Sequence, residues 1–241
     1  MPKDKLFRKK RRLVGDFNFG KQTATVFDDM LVRSVPFYLE IQRMVAELAA
    51  DFAVPDTNLY DLGCSTCTTF LMLDPIVPPE VRFIGVDSSR EMLDRAQAKL
   101  KQHGVTRDCQ LLCADLNGGV QLSNASVVIM ALTLQFVRPL YRQQLMKSIA
   151  DGMNEQGCLI LIEKVLPQDS LLNRLFIKYY YAFKERQGYS KIEIAQKREA
   201  LENILVPYRL EENKGLLLSS GFRQCDVFFK WYNFCGLIAL K

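Results

Sequence analysis

The stretch Asn58-Leu59-Tyr60-Asp61-Leu62-Gly63-Cys64-Ser65, with Arg82-Phe83-Ile84-Gly85-Val86-Asp87-Ser88-Ser89 behind it, decides the fold. Each is an apolar run of strand length that ends in acidic or small residues and passes into a segment of helical spacing, 65–73 after the first and 89–102 after the second. In the second helix Ser88 or Ser89 can act as cap, Glu91 lies in the first turn, and Met92, Leu93, Ala96 and Leu100 make one apolar stripe. The alternation continues outward with strands over 110–113, 126–132 and 158–163 and a helix over 140–151, while 24–52 reads as helical with a break at Val35-Pro36. Strands alternating with amphipathic helices predict an α/β fold, a mostly parallel sheet with helices on both faces.

Residues 169–220 break this rhythm with three helical stretches, interrupted at Gly188-Tyr189-Ser190 and Pro207. An insertion so late in an α/β fold serves as a lid or an oligomer surface. The last two apolar runs, 224–230 and 233–240, are separated by little more than Trp231-Tyr232 and are predicted to pair as an antiparallel hairpin at the sheet edge. The expected organisation is a basic disordered tail over 1–14 and a single domain over 15–241 that carries the helical insertion.

Composition narrows the function. The chain has 241 residues, 49% hydrophobic and 24% charged, which excludes a disordered or coiled-coil protein. It contains no run of about 18 apolar residues and begins without an apolar signal region, so a cytoplasmic protein is expected. Of the net charge of +5, residues 1–12 contribute seven Lys and Arg against Asp4, leaving the rest of the chain close to neutral. That pattern predicts a solvated tail, or an arm that touches nucleic acid, on a body that is not itself a nucleic-acid binder. His103 is the one histidine and sits at a helix end, so neither a histidine-based triad nor a metal centre is expected. Cys64 and Cys67 have C-x-x-C spacing without a second such pair or a nearby histidine, which argues against zinc and leaves a redox pair open.

Open α/β sheets bind ligands at the carboxyl ends of their strands. Gly63 lets backbone approach a ligand; Asp87, 24 residues on, stands where an acid can hold a ribose diol; and Asp115-Leu116, ending the next strand, can read an adenine edge. Each acid alone is equally well a helix cap. Together, and without a G-x-G-x-x-G cradle for a pyrophosphate, they fit S-adenosylmethionine.

With these residues in hand, the chain resembles the carboxy-S-adenosyl-methionine synthases, from about Gly15 to the C-terminus. The resemblance is carried by Arg33-Ser34-Val35-Pro36, Tyr60-Asp61-Leu62-Gly63-Cys64-Ser65, Thr133-Leu134-Gln135-Phe136, Gly188-Tyr189-Ser190, Gln196-Lys197-Arg198 and Leu201-Glu202-Asn203. It implies a Rossmann-like class I S-adenosylmethionine-dependent methyltransferase fold. It also implies a transferase that moves the carboxyl group of prephenate onto the methyl carbon of S-adenosylmethionine, releasing phenylpyruvate. The product, carboxy-S-adenosyl-L-methionine, would pass to a tRNA carboxymethyltransferase that builds 5-oxyacetyl-uridine at the wobble position, with no direct tRNA contact by this chain. Cofactor contacts carry over to Tyr38, Gly63, Cys64, Ser65, Asp87, Ser88, Asp115, Leu116 and Arg198, with Arg198 as catalytic carboxylate holder, no metal, and a homodimer as the assembly. Prephenate is a dianion, so Arg33 is a second candidate clamp. Without the resemblance, Arg198 between Lys197 and Glu199 reads as a surface charge.

Departures from the family pattern are Cys67 in place of a glycine, Ala131 in place of an asparagine that contacts the cofactor, Tyr180-Tyr181 in place of paired histidines, and Trp231 in place of a cysteine. They keep open a divergent methyltransferase acting on a small molecule or tRNA, and a non-catalytic cofactor-binding subunit that uses its basic tail on RNA.

Overall fold

The computed structural model describes residues 2–241. Helices α1 (Lys21–Ser34) and α2 (Tyr38–Phe52) precede the alternating core of β1 (Asn58–Leu62), α3 (Thr68–Leu73), β2 (Arg82–Asp87), α4 (Arg90–Gln102), β3 (Cys109–Cys113), β4 (Ala125–Ala131), α5 (Pro139–Gly152) and β5 (Met153–Leu166). The insertion holds α6 (Ser170–Arg186), α7 (Lys191–Leu201), the two-residue β6 (Tyr208–Arg209) and α8 (Leu210–Ser219), and β7 (Gln224–Trp231) and β8 (Phe234–Leu240) close the chain. The sheet runs β3-β2-β1-β4-β5-β8-β7, with β6 beside β5. Strands β3, β2, β1, β4 and β5 pair in parallel, and β8 is antiparallel to both β5 and β7.

The central strands bury both faces. Along β4, Val127 and Ile129 face one core with Ile41, Val45 and Phe70, while Val128 and Met130 face the other with Leu145, Ile149 and Leu217. Two covered faces explain why these strands read as continuous apolar runs rather than alternating ones. The order reverses between β1 and β4, because β1 leads outward to β2 on one side and the chain returns to its other side as β4. The crevice above that reversal is where an open parallel sheet takes a ligand.

The stripe predicted for α4 is buried, and the Ser89 hydroxyl accepts from the Met92 amide at 3.1 Å as its cap. In the insertion, Ser190 and Glu193 form a reciprocal capping box that starts α7 just after Gly188, whose φ of +84° ends α6.

The segment expected as a disordered tail over 1–14 requires correction over its described residues. Asp4 is 2% exposed and Phe7 is buried. The Asp4 carboxylate accepts from the Tyr189 hydroxyl at 2.6 Å, its amide donates to Asp29 at 2.7 Å, and its carbonyl accepts from Arg33 at 3.2 Å. Further along, Gln196 donates to the carbonyls of Phe7 and Lys9 and accepts from the Arg11 amide. One acid and one aromatic set among basic residues are thus enough to dock the segment on α1 and α7. Arg8, Lys9, Lys10 and Arg12 stay exposed.

Candidate functional site

The loop after β1 is built by close backbone approach. Gly63 has φ +87°, and a Cβ there would lie 2.1 Å from the Thr133 hydroxyl, so only glycine lets the loop after β1 meet the turn after β4. The Gly63 and Cys64 amides donate to the Val86 carbonyl at 2.7 and 3.1 Å, extending the β1–β2 ladder past the strand ends. Asp87 then accepts the Ser65 amide on one carboxylate oxygen and the Ser89 amide on the other, both at 2.9 Å. One more amide step, Ala114 to the Asp87 carbonyl at 3.0 Å, brings the end of β3 alongside. Asp115 is exposed and accepts from the amide and side chain of Asn117, so it caps its turn and faces the crevice at once.

Behind that loop, Asp28 ties α1 to α4. Its carboxylate accepts from Lys99 at 2.7 Å and from the hydroxyls of Thr66 and Thr68, and Lys99 also reaches both threonines. On the far side, buried Glu163 accepts the amides of Leu134 and Gln135, each at 2.9 Å, and fixes the Thr133-Leu134-Gln135-Phe136 turn. Burial pushes the Glu163 carboxyl up to about 8, with Arg142 and the turn amides pulling the other way.

These pieces enclose a cavity of about 250 Å³. Tyr38, Gly63, Cys64, Ser65, Asp87, Ser88, Asp115, Leu116 and Ala131 all line it, so nine of the expected cofactor contacts share one space. Its cover is aromatic: Phe19 packs edge-on against Phe136 at 5.4 Å and Phe17 at 5.0 Å, all three in the cavity wall. Its lining also includes Lys164, Lys197, Tyr180 and Phe234 from β5, α7, α6 and β8. Asp61 is buried at the strand-end side with no ion pair among the described residues, and burial, reinforced by Asp87, pushes its carboxyl up to about 7. A diol acceptor and an unneutralised buried acid in one cavity fit a ligand that carries both a ribose and a cationic end, as S-adenosylmethionine does.

Two expected residues stand elsewhere. Arg33 is buried, donates to the carbonyls of Gln187 and Asp4, pairs with Asp29 at 3.2 Å and stacks at 3.9 Å over Tyr189. Its guanidinium is consumed in docking the N-terminal segment and the α6–α7 turn, so it is corrected from substrate clamp to structural anchor. Arg198 is exposed on α7 and does not line the cavity of its own chain; the position before it, Lys197, turns inward. Nothing in the sequence sets Lys164, Glu163 or the inward turn of Lys197 apart, because each lies beside other charges or at the end of an apolar strand, where a solvated side chain is the ordinary outcome. The C-x-x-C thiols are both buried, and the neighbouring Cys67 thiol and burial raise Cys64 well above a free thiol, the opposite of what a reactive pair needs.

Asp61 makes stability pH-dependent. In the folded chain it keeps its proton up to about 7, whereas the unfolded chain loses it near the ordinary 3.8. The stability this contributes is full below the unfolded value and is lost as pH rises through 7, on the order of 4 kcal/mol across the window. Thermal melts of cofactor-free protein are therefore expected to show wild type losing ground to Asp61→Asn between pH 5 and pH 8; parallel curves would refute the assignment. Gly63→Ala combines left-handed strain with overlap on Thr133, about 1–3 kcal/mol from each source. It should lower the melting temperature and abolish S-adenosylmethionine binding in calorimetry, and retained affinity would show that the Gly63–Thr133 approach is not needed.

The methyltransferase-domain family matches residues 59–157. Among solved structures, the chain is similar to a Methanococcus maripaludis protein assigned to the S-adenosyl-L-methionine-dependent methyltransferases, with TM-score 0.63 and 14% identity over 96% of this chain and 97% of that one. It is also similar to the CurJ carbon methyltransferase, with TM-score 0.63 and 15% identity over 90% of this chain and 58% of that one. At these identities the likeness shows the fold, a class I methyltransferase fold. In sequence, the carboxy-S-adenosyl-L-methionine synthase of Methylococcus capsulatus is 57% identical over the full length of both chains. That of Nitratiruptor sp. is 42% identical over 100% of this chain and 99% of the relative. End-to-end identity at that level, on a chain whose strand ends converge on a single cavity, places this protein in the carboxy-S-adenosyl-L-methionine synthase family.

Proposed function

We propose that the protein carboxylates S-adenosyl-L-methionine with prephenate as donor, forming carboxy-S-adenosyl-L-methionine, phenylpyruvate and water, the water made from the prephenate hydroxyl and the proton that the cofactor's methyl group gives up. The observation that carries this reading is the aromatic lining beside the strand-end acids. Carbon dioxide passed between two organic partners must meet a carbon nucleophile before water, and the edge-packed rings of Phe17, Phe19 and Phe136 give the cavity of the strand-end acids an apolar wall. Asp87 and Asp115 hold the nucleoside end, Tyr38 and the Gly63-Cys64-Ser65 loop hold the middle, and Asp61 faces the cationic end. Arg198 is the proposed grip on the new carboxylate. Its side chain is exposed, lies outside the cavity lining of its own chain and makes no hydrogen bond or ion pair among the described residues, so its planar guanidinium keeps both donor edges for a carboxylate that comes within its reach.

The same reading includes a homodimer. Leu171, Leu172 and Tyr179 on α6 are exposed, as is Tyr232, which packs against Tyr179 at 5.1 Å. An apolar face of this kind on an insertion suits a second copy of the chain. Light scattering should give twice the chain mass for wild type and a single chain mass for Leu172→Glu; a monomeric wild type would overturn the dimer. The product is a small molecule for a tRNA carboxymethyltransferase, and the setting is the cytoplasm; among the described residues no helix is long and apolar enough to cross a membrane.

Mass spectrometry of S-adenosylmethionine incubated with the protein tests the reaction. With prephenate the cofactor should gain about 44 mass units, the mass of the added carbon dioxide, and Arg198→Ala should lower that yield about 10- to 100-fold, the worth of a charge-assisted bidentate contact. Unchanged cofactor with binding intact would favour methyl transfer instead, a reading to which Ala131 in the cavity wall, with no side-chain polar atom for the cofactor, lends the specific support.

A further inference from the structure

The cavity and the side chains next to it hold lysines that the fold leaves largely without acid partners among the described residues. Lys164 lies with its amine 4.6 Å from the Tyr180 ring and 5.6 Å from the Phe234 ring, with no carboxylate within ion-pair distance among the described residues. Lys184, only 5% exposed, sits 4.7 Å from the same Tyr180 ring and 5.1 Å from Tyr181, and it too has no acid partner among the described residues. Lys197, 8% exposed, donates to the Ser34 hydroxyl at 3.1 Å and has one acid near it, Asp4 at 3.9 Å. Tyr180 is held between these amines by its hydroxyl, which donates to the Ser34 carbonyl at 3.0 Å.

Two lysine amines thus flank the buried Tyr180 ring, a third, that of Lys197, lies 5.6 Å from the neighbouring Tyr189 ring, and one carboxylate stands among the three. Burial pushes Lys164 and Lys197 down to about 8 and Lys184 to about 6, the last also through repulsion from Lys164, Lys197 and Arg198. A buried charge without a partner costs several kcal/mol, so a cluster of this kind is tolerated where an anion arrives to complete it. Lys164 and Lys197 line the cavity, whereas Lys184 stands behind Tyr180 outside it.

We infer that Lys164 and Lys197 form an anion clamp for the carboxylates of a small dicarboxylic acid. The clamp shares its cavity with Asp61 and Asp87, so an acid held there lies in the same space as a bound S-adenosylmethionine. Two amines for one ligand select a dianion over a monoanion. If the acid gives up a carboxyl group, the remaining monoanion is held less tightly and leaves. The inference rests on the proposed carboxyl transfer for its donor, but the clamp itself is a statement about binding.

The test is calorimetric titration of prephenate, and separately of phenylpyruvate, onto S-adenosylmethionine-loaded wild type, Lys164→Met, Lys164→Arg and Lys197→Met, with KM for prephenate measured alongside. Lys164→Met should weaken prephenate about 10- to 100-fold, the equivalent of about 1.4–2.8 kcal/mol. It should leave S-adenosylmethionine affinity within twofold and the melting temperature equal to or above wild type, since it removes a buried charge. Lys164→Arg should recover most of the loss, and phenylpyruvate should bind wild type at least tenfold more weakly than prephenate. If Lys164→Met does not fold, Lys197→Met carries the same expectation for prephenate. Carboxylated product formed with unchanged prephenate KM in both methionine variants would overturn the clamp and leave the proposed reaction standing. Prephenate bound by wild type in a lysine-dependent way without carboxylated product would do the reverse, and wild type that neither binds nor uses prephenate would overturn both.

Discussion

Asp87 sets one carboxylate oxygen on the Ser65 amide and the other on the Ser89 amide, so a single side chain fixes the loop leaving β1 to the start of α4. The rest of the crevice depends on that link. The loop must stay close to β2 for Gly63 to lie under Thr133, and Gly63 must lie there for the turn after β4 to reach the cavity. The Asp87 carboxyl is raised by its burial and held back from rising further by the same amides, so the group that positions the loop is kept available as an acceptor. A carboxylate with two backbone donors still has lone pairs to offer, and a ribose diol can share the site without displacing the scaffold.

Backbone strain gathers around the same crevice. Phe37, Ser65, Cys67 and Leu132 all have φ between +44° and +60°, a region that costs a side-chain-bearing residue about 1–3 kcal/mol. Phe37 precedes α2, Ser65 and Cys67 flank the turn before α3, and Leu132 follows β4, so each bends the chain just where a strand or helix meets the cavity. Cys67 shows how such strain is offset. Its left-handed φ of 55° explains why a glycine suits that position in the family pattern, and its fully buried side chain adds packing that a glycine lacks. The Asp28–Lys99 pair, with Thr66 and Thr68, pins the strained turn from behind.

The parts legible in the sequence are those in which local pattern and final environment agree. Strand β1 is an apolar run cut off by Gly63-Cys64-Ser65, the stripe of α4 is capped by Ser89, and the hairpin of β7 and β8 is two apolar runs around a short turn; each feature acts within a few residues of itself. Asp115 shows that the alternatives of cap and ligand acceptor need not exclude each other, since it does the first while facing the cavity. The illegible parts are charges whose environment is made by distant chain. Lys197 and Arg198 are adjacent and chemically alike, and only the roll of α7 against α1 and the N-terminal segment turns the first inward and leaves the second exposed. Lys164 ends the apolar stretch of β5, and its burial is decided by Tyr180 and Phe234, from an insertion helix and the last strand. Asp4 reads as one acid lost among seven basic residues, and its burial depends on Tyr189, Arg33 and Asp29, none of them near it in sequence.

The charge pattern of the finished cavity selects what enters it. Asp61 and Asp87 line the cavity together with Lys164 and Lys197 and with aromatic and aliphatic side chains, so the low-dielectric space holds groups of both signs. Under the proposed reaction, a sulfonium cation is drawn to the acids and a dicarboxylate to the lysines, so that one cavity gathers the pair. Moving a carboxyl group from the anion to the cation then lowers the charge of both partners, because the acceptor gains a negative group and the donor loses one. The charges that gathered the reactants therefore hold the products more weakly, and the arrangement that favours encounter also favours release.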